Sequence, residues 1–150
     1  MSDFETDTGA DTTAVDYDHD GDTDGAYHEN ADGSAYQVTD TNDDGRADTV
    51  LYDRDGDGTA DAAAYDTDGD GKVNYAVADT NDDGRADAAA YDRNEDGRVD
   101  AYAADTNRDG KVDYAVVDTD YDGDADVSYR DTDGDGDVDY TNTNPTTTNA

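Results

Sequence analysis

The chain has 150 residues, of which 43 are acidic and 9 basic, for a formal net charge of −34. Only Glu5, Glu29 and Glu95 are Glu, so the acidity is almost all Asp, a poor helix former, and an acidic helical tail is excluded. DNA, RNA and anionic membranes are repelled by such a surface, the lack of Cys removes disulfides and zinc-thiolate sites, and no apolar run approaches the roughly 20 residues of a membrane span.

One Phe, one Met and no Trp leave little for an ordinary core, and bulk composition alone matches a disordered chain. The order of the residues argues for structure. Residues 1–15 form an acidic segment without the basic and apolar regions of a signal peptide. Asp16–Tyr27 (DYDHDGDTDGAY) opens a series of ten repeat units spanning 16–143, and His28–Thr39 is a degraded copy. Both are 12 residues long. From Asp40 eight units of 13 residues follow, with glycines at 45, 58, 71, 84, 97, 110, 123 and 136. Residues 144–150 (NPTTTNA) form a Thr/Asn-rich tail, a linker or a cap. A longer period lies on top: residues 40–78 match 79–117 at 26 of 39 positions. Duplication of a three-unit block and a coil of three units per turn both account for it.

Within a unit, oxygen-bearing side chains stand at alternate positions. Position 1 holds Asp16, Asp40, Asp53, Asp66, Asp79, Asp92, Asp105, Asp118 and Asp131. Position 3 holds Asp18, Asn42, Asp55, Asp68, Asn81, Asn94, Asn107, Asp120 and Asp133. Position 5 holds Asp20, Asp44, Asp57, Asp70, Asp83, Asp96, Asp109, Asp122 and Asp135, and position 6 is Gly. Position 9 adds Asp24, Asp48, Asp61, Asn74, Asp87, Asp100, Asp113, Asp126 and Asp139. A hard cation wants six to eight oxygens at about 2.3–2.6 Å, and alternate residues of a curled chain can aim at one point. Gly at position 6 permits the turn that brings the position-7 carbonyl inward. This is the first half of an EF-hand calcium loop. Zinc is disfavoured because only His19 and His28 offer nitrogen. Magnesium prefers to keep its waters, so Ca²⁺, about one per unit, is the expected cofactor. Position 12, where an EF-hand has its bidentate Glu, holds Leu51, Ala64, Val77, Ala90, Ala103, Val116 or Tyr129. The missing ligand must come from position 9, from the next unit or from a neighbouring turn. About four residues separate one loop from the next, too few for flanking helices.

These units resemble thrombospondin type 3 repeats, which also string DxDxDGxxD motifs around calcium. The resemblance covers about residues 16–143 and rests on positions 1, 3, 5, 6 and 9. It implies structural calcium in an extracellular protein, although the cysteines of that family are missing here. The architecture is similar by analogy to RTX β-rolls, where calcium turns alternate with short strands, while the RTX nonapeptide itself is not present.

Positions 8–13 alternate. Positions 8, 10 and 12 are almost wholly apolar, as in Val73/Tyr75/Val77 and Ala86/Ala88/Ala90, and positions 9, 11 and 13 are mixed. Period two over six residues predicts a half-buried strand. The expected fold is therefore all-β: a calcium-stabilised β-solenoid of 13-residue loop-strand units. The 39-residue period favours three sides over two, with Tyr52 stacked on Tyr91 and Tyr75 on Tyr114. Ten Ca²⁺ ions would lower the net charge from −34 to −14, so the chain should be disordered without metal and folded with it. The basic side chains at position 7, Arg46, Lys72, Arg85, Arg98 and Lys111, are expected to point outward and offset nearby Asp.

The function these features predict is a non-enzymatic, calcium-dependent structural or adhesive element, extracellular or on a cell surface. Its open ends allow self-association into filaments, and no nucleic-acid partner or membrane insertion is expected. A calcium buffer or store is the alternative, separated from it by affinity. No nucleophile–base pair stands apart from the repeat, so no enzymatic activity is expected.

Overall fold

The structure, a computed structural model, describes residues 11–16 and 19–143. Most of the 1–15 segment, the ligand candidate Asp18 and the 144–150 tail lie outside the described residues. Eleven strands follow one another: β1 (Asp11–Val15), β2 (Gly25–Glu29), β3 (Ala35–Thr39), β4 (Thr49–Asp53), β5 (Ala62–Tyr65), β6 (Tyr75–Ala78), β7 (Ala88–Tyr91), β8 (Ala101–Ala104), β9 (Tyr114–Val117), β10 (Val127–Arg130) and β11 (Tyr140–Thr143). There is no helix among the described residues. The fold is all-β, as expected.

Its topology is not the expected three-sided coil. The strands form one open sheet in strict sequence order, and every neighbouring pair is antiparallel. The reason lies in the loops. Positions 4 and 6 both adopt left-handed backbone, as at Glu95 (φ 58) and Gly97 (φ 88), and two such residues within three turn the chain back on itself. The Asp61 N–H then donates to the Tyr52 carbonyl at 2.7 Å, and the Asp79 N–H to the Asp61 carbonyl at 2.7 Å, so the ladder closes across the mouth of each loop. A coil needs a corner that carries the chain onward; this loop reverses it.

Strand register follows the repeat without slip, for Val50 faces Ala64, Ala64 faces Ala76 and Ala76 faces Ala90. Reversal also changes which tyrosines meet. Tyr65, Tyr75 and Tyr91 lie in one row, with ring centroids 5.8 and 5.7 Å apart, in place of the expected Tyr52–Tyr91 and Tyr75–Tyr114 ladders. From β5 onward the strands occupy only positions 10–13. Position 8 stays in the loop, where Val99 and Val112 are more than half exposed, so it is no part of a core.

The sheet has no inside. Reversal places positions 10 and 12 of one strand beside 13 and 11 of the next, so both faces are mostly apolar and both are open. Among the described residues no large side chain is fully buried, and the buried hydrophobics are Ala35, Ala63 and Ala104. Ala is a weak strand former; the central Ala strands stand because each is hydrogen-bonded on both sides. The loops line the two edges of the sheet. Those at 16–24, 40–48, 66–74, 92–100 and 118–126 share one edge. Those at 53–61, 79–87, 105–113 and 131–139 share the other with the short turn of the degraded unit. That turn closes through the Asn30 N–H on the Ser34 carbonyl (2.8 Å) and the Gly33 N–H on the Asn30 carbonyl (3.0 Å).

Candidate metal centres

Each loop is clasped first by its position-1 aspartate. The Gly71 N–H donates to Asp66 Oδ2 at 2.6 Å, and the Gly69 and Asp68 N–H groups donate to Oδ1 at 2.7 and 3.2 Å. The same bond from the position-6 glycine recurs at Asp16, Asp40, Asp53, Asp79, Asp92, Asp105, Asp118 and Asp131. Burial opposes ionisation of Asp66 and Asp79, but the loop N–H groups outweigh it and hold both carboxyls below the ordinary value. Among the described residues, the side chains at positions 3 and 5 accept a backbone N–H two residues on in every loop but at Asn81, as in Asp70 N–H to Asp68 Oδ1 (3.3 Å) and Lys72 N–H to Asp70 Oδ1 (2.8 Å). Each of these carboxylates is oriented by backbone N–H groups and keeps oxygen lone pairs free of them.

Among the described residues, four loops bring three carboxylates within 4.8 Å of one another. These are Asp53, Asp55 and Asp57; Asp66, Asp68 and Asp70; Asp118, Asp120 and Asp122; and Asp131, Asp133 and Asp139. Such groups can hold a metal ion, because like charges this close need a cation or a proton between them. The loops at 40–48, 79–87, 92–100 and 105–113 have Asn at position 3, so their counterpart would be two carboxylates and an amide. In the loops at 40–48 and 92–100, Asp40 Oδ1 and Asp92 Oδ1 are shut from solvent and meet no hydrogen-bond donor. A buried carboxylate oxygen without a donor is costly, and a bound cation satisfies it. The residues present therefore fit a hard divalent ion.

Position 9 has a second task. Its oxygens accept from position 2: Thr41 donates to Asp48 Oδ2 through its N–H (2.8 Å) and hydroxyl (2.6 Å), and Thr106 and Thr132 do the same for Asp113 and Asp139. The Thr hydroxyl is the main cause that holds the Asp48, Asp113 and Asp139 carboxyls below the usual range. Of the position-9 residues only Asp139 joins a three-carboxylate group among the described residues.

Loops on one edge also touch. Glu95, at position 4, is hydrogen-bonded to Asp68 and then Asp70 of the loop two units earlier, and is pushed up to about 7. Asp82 is raised by burial and then by Asp61 and Asp55, again two units earlier. The position-7 cations do not simply point outward. Arg46 Nη1 donates to the Asp70 carbonyl at 2.6 Å, and Lys111 Nζ to the Gly134 and Asp135 carbonyls at 3.1 and 2.9 Å. Lys72 Nζ lies 3.5 Å from both Asp70 and Glu95. At Gly71 a Cβ would come within 2.8 Å of Arg46 Cδ, so that side chain would have to shift, and the φ of 91° would strain any other residue.

Sequence reasoning missed the Thr hydroxyl at position 2, the left-handed position 4 and the contacts between loops two units apart. Gly56, Gly69 and Gly134 at position 4 were the available signal for the second. Comparison with protein-family models, with curated proteins and with solved structures gave no match.

Proposed function

We propose that the chain is a non-enzymatic calcium-binding repeat protein that folds on Ca²⁺ and serves as an extracellular or cell-surface structural element. The observation that carries this reading is the row of carboxylate groups, each pre-oriented by backbone N–H groups, along both edges of a sheet with no core of its own. Asp66, Asp68 and Asp70 with the equivalent oxygens of the other loops, including the Asn at position 3, would hold the ion. Calcium suits them better than magnesium because the donors are all oxygen, numerous and carried on a flexible loop. The ion supplies charge neutralisation, and the chain supplies a clasp that sets the hairpin. Metal binding is then part of folding. Millimolar extracellular calcium would saturate weak, exposed sites of this kind. Among the described residues the outer edges of β1 and β11 have no strand partner, and their backbone groups would serve end-to-end association into filaments.

A calcium titration followed by far-UV circular dichroism tests the reading. Excess chelator is expected to abolish the sheet signal and millimolar calcium to restore it, with midpoints of about 0.1–1 mM. A sheet signal indifferent to chelator would overturn it. Submicromolar midpoints at most sites would instead favour a buffer or store.

A further inference from the structure

Among the described residues, one face of the sheet carries no strand carboxylate. Following the pairing from β1 to β11, it presents Thr12 and Ala14, then Ala26 and His28, Tyr36 and Val38, and onward to Ser128 and Arg130, Tyr140 and Asn142. In a chain with 43 acidic residues this is a sharp segregation. The opposite face carries Glu29 and Asp53 at its strand ends, and its centre carries the Tyr65–Tyr75–Tyr91 row. On the carboxylate-free face the three central strands offer only Ala62, Ala64, Ala76, Ala78, Ala88 and Ala90. They floor an apolar trough of about 240 Å³, rimmed by Tyr52 and Tyr102, which are 43% and 37% exposed. A sheet is stable when its apolar faces are packed against another layer, and no second layer of this chain covers this one among the described residues.

We infer that a second copy of the chain covers this face, so that two sheets pack face to face across the alanine trough. Area supports the choice of occupant. Eleven strands about 4.8 Å apart and four residues of about 3.4 Å each give a flat footprint of roughly 700 Å². A standard stable interface takes about 800 Å² from each partner, and side-chain relief makes the accessible area larger than the footprint. Charge supports it as well. The alanine trough is lined by no carboxylate, so packing across it buries none there. Sheets packed with strand directions within about 30° set the loop rows of the two copies side by side. Two chains at −34 each repel, so the pairing rests on the calcium reading and should appear only when the loops are neutralised. This contact is distinct from end-to-end pairing at β1 and β11, which uses backbone groups and leaves both faces open.

Sedimentation velocity of the full chain over a range of concentrations, with circular dichroism on the same samples, tests the proposal. In millimolar calcium the mass is expected to be twice the 15.9 kDa of one chain. Ala76→Glu puts a carboxylate in the trough and should return the mass of a single chain with the sheet signal intact. Ala89→Glu, the same change on the opposite face of the neighbouring strand, should leave the pair in place. If A76E also loses the sheet signal, the neutral Tyr102→Ser takes its place and should weaken pairing about tenfold or more. A sheet signal in calcium with a single-chain mass at every concentration overturns the pairing and leaves the calcium reading standing. Larger species that survive A76E assign association to the strand edges and also overturn it. No calcium response in either measurement overturns both readings.

Discussion

Position 4 of each loop carries a backbone cost that differs from unit to unit. Gly56, Gly69 and Gly134 adopt left-handed φ values of 76, 78 and 75° freely, whereas His19, Asp43, Asp82, Glu95, Arg108 and Tyr121 hold 57 to 67° with a side chain attached. A β-carbon in that region costs about 1–2 kcal/mol. Tyr121 is the bulkiest of the six, and it is 42% exposed. Its N–H donates to Asp118 Oδ1 at 2.7 Å, a backbone contact that any residue keeps. Tyr121→Gly should therefore relieve the strain without losing the clasp. Glycine also loosens the unfolded chain by about 0.4–1 kcal/mol, which takes back part of the gain. The expected net effect in saturating calcium is a stabilisation of about 0.5–1 kcal/mol, read from the urea midpoint at unchanged slope. A lower midpoint would show that the tyrosine ring contributes more than its backbone costs.

At the scale of the loop-strand unit, the local chemistry was legible in the sequence and the direction of the chain was not. The DxDxDG spacing announces the clasp between the aspartate at position 1 and the glycine at position 6, because that bond closes within six residues. Val and Tyr at positions 10–13 announce a strand because alternation is itself local. The degraded unit at His28–Thr39 reads as a poor calcium loop, and it forms a short turn at Asn30–Ser34. Whether a loop bends the chain onward or reverses it depends on position 4, where five different side chains and glycine mask one shared conformation. The 39-residue period suggested a three-fold coil, yet the contacts between loops run at two units. Lys111 reaches Gly134 and Asp135, 23 and 24 residues on, because reversal returns the chain to the same edge every second loop. Lys111→Met keeps the aliphatic stem and removes these bonds. Hydrogen exchange should then quicken at the amides of 131–137 and stay unchanged in the loop at 118–126 on the other edge. The global effect should be small, about 1 kcal/mol or less, since the contact is exposed. Faster exchange in both loops alike would mean that the lysine acts through overall charge.

For the whole molecule, the antiparallel meander makes the two-unit step the true repeat, and this separates it from any coil. Removing two units, residues 79–104, joins β6 directly to the loop at 105–113. That loop then occupies the edge left by the loop at 79–87, and β9 runs as β7 did. Ala78 would pair with Tyr114 and Tyr75 with Val117, a register the strand lengths accept. Every downstream loop keeps its edge, and every downstream side chain keeps its face. Removing three units, residues 79–117, reverses the parity. The remaining loops change edge, and the Tyr129 face exchanges with the Arg130 face, so Val127 and Tyr129 take the places of Ser128 and Arg130 on the carboxylate-free surface. A three-sided coil would respond in the opposite way, tolerating the loss of one 39-residue turn and suffering from the loss of 26. The two deletions are expected to retain calcium-dependent sheet signal to different degrees. The 26-residue deletion should keep the signal per residue and a single cooperative melt, with two fewer calcium ions bound by titration calorimetry. The 39-residue deletion should keep its local loops but, with the loops at 118–126 and 131–139 moved to new neighbours on opposite edges, should melt less cooperatively than the full chain. A 39-residue deletion that melts as the full chain does, beside a 26-residue deletion that unfolds, would restore the coil and remove the sheet.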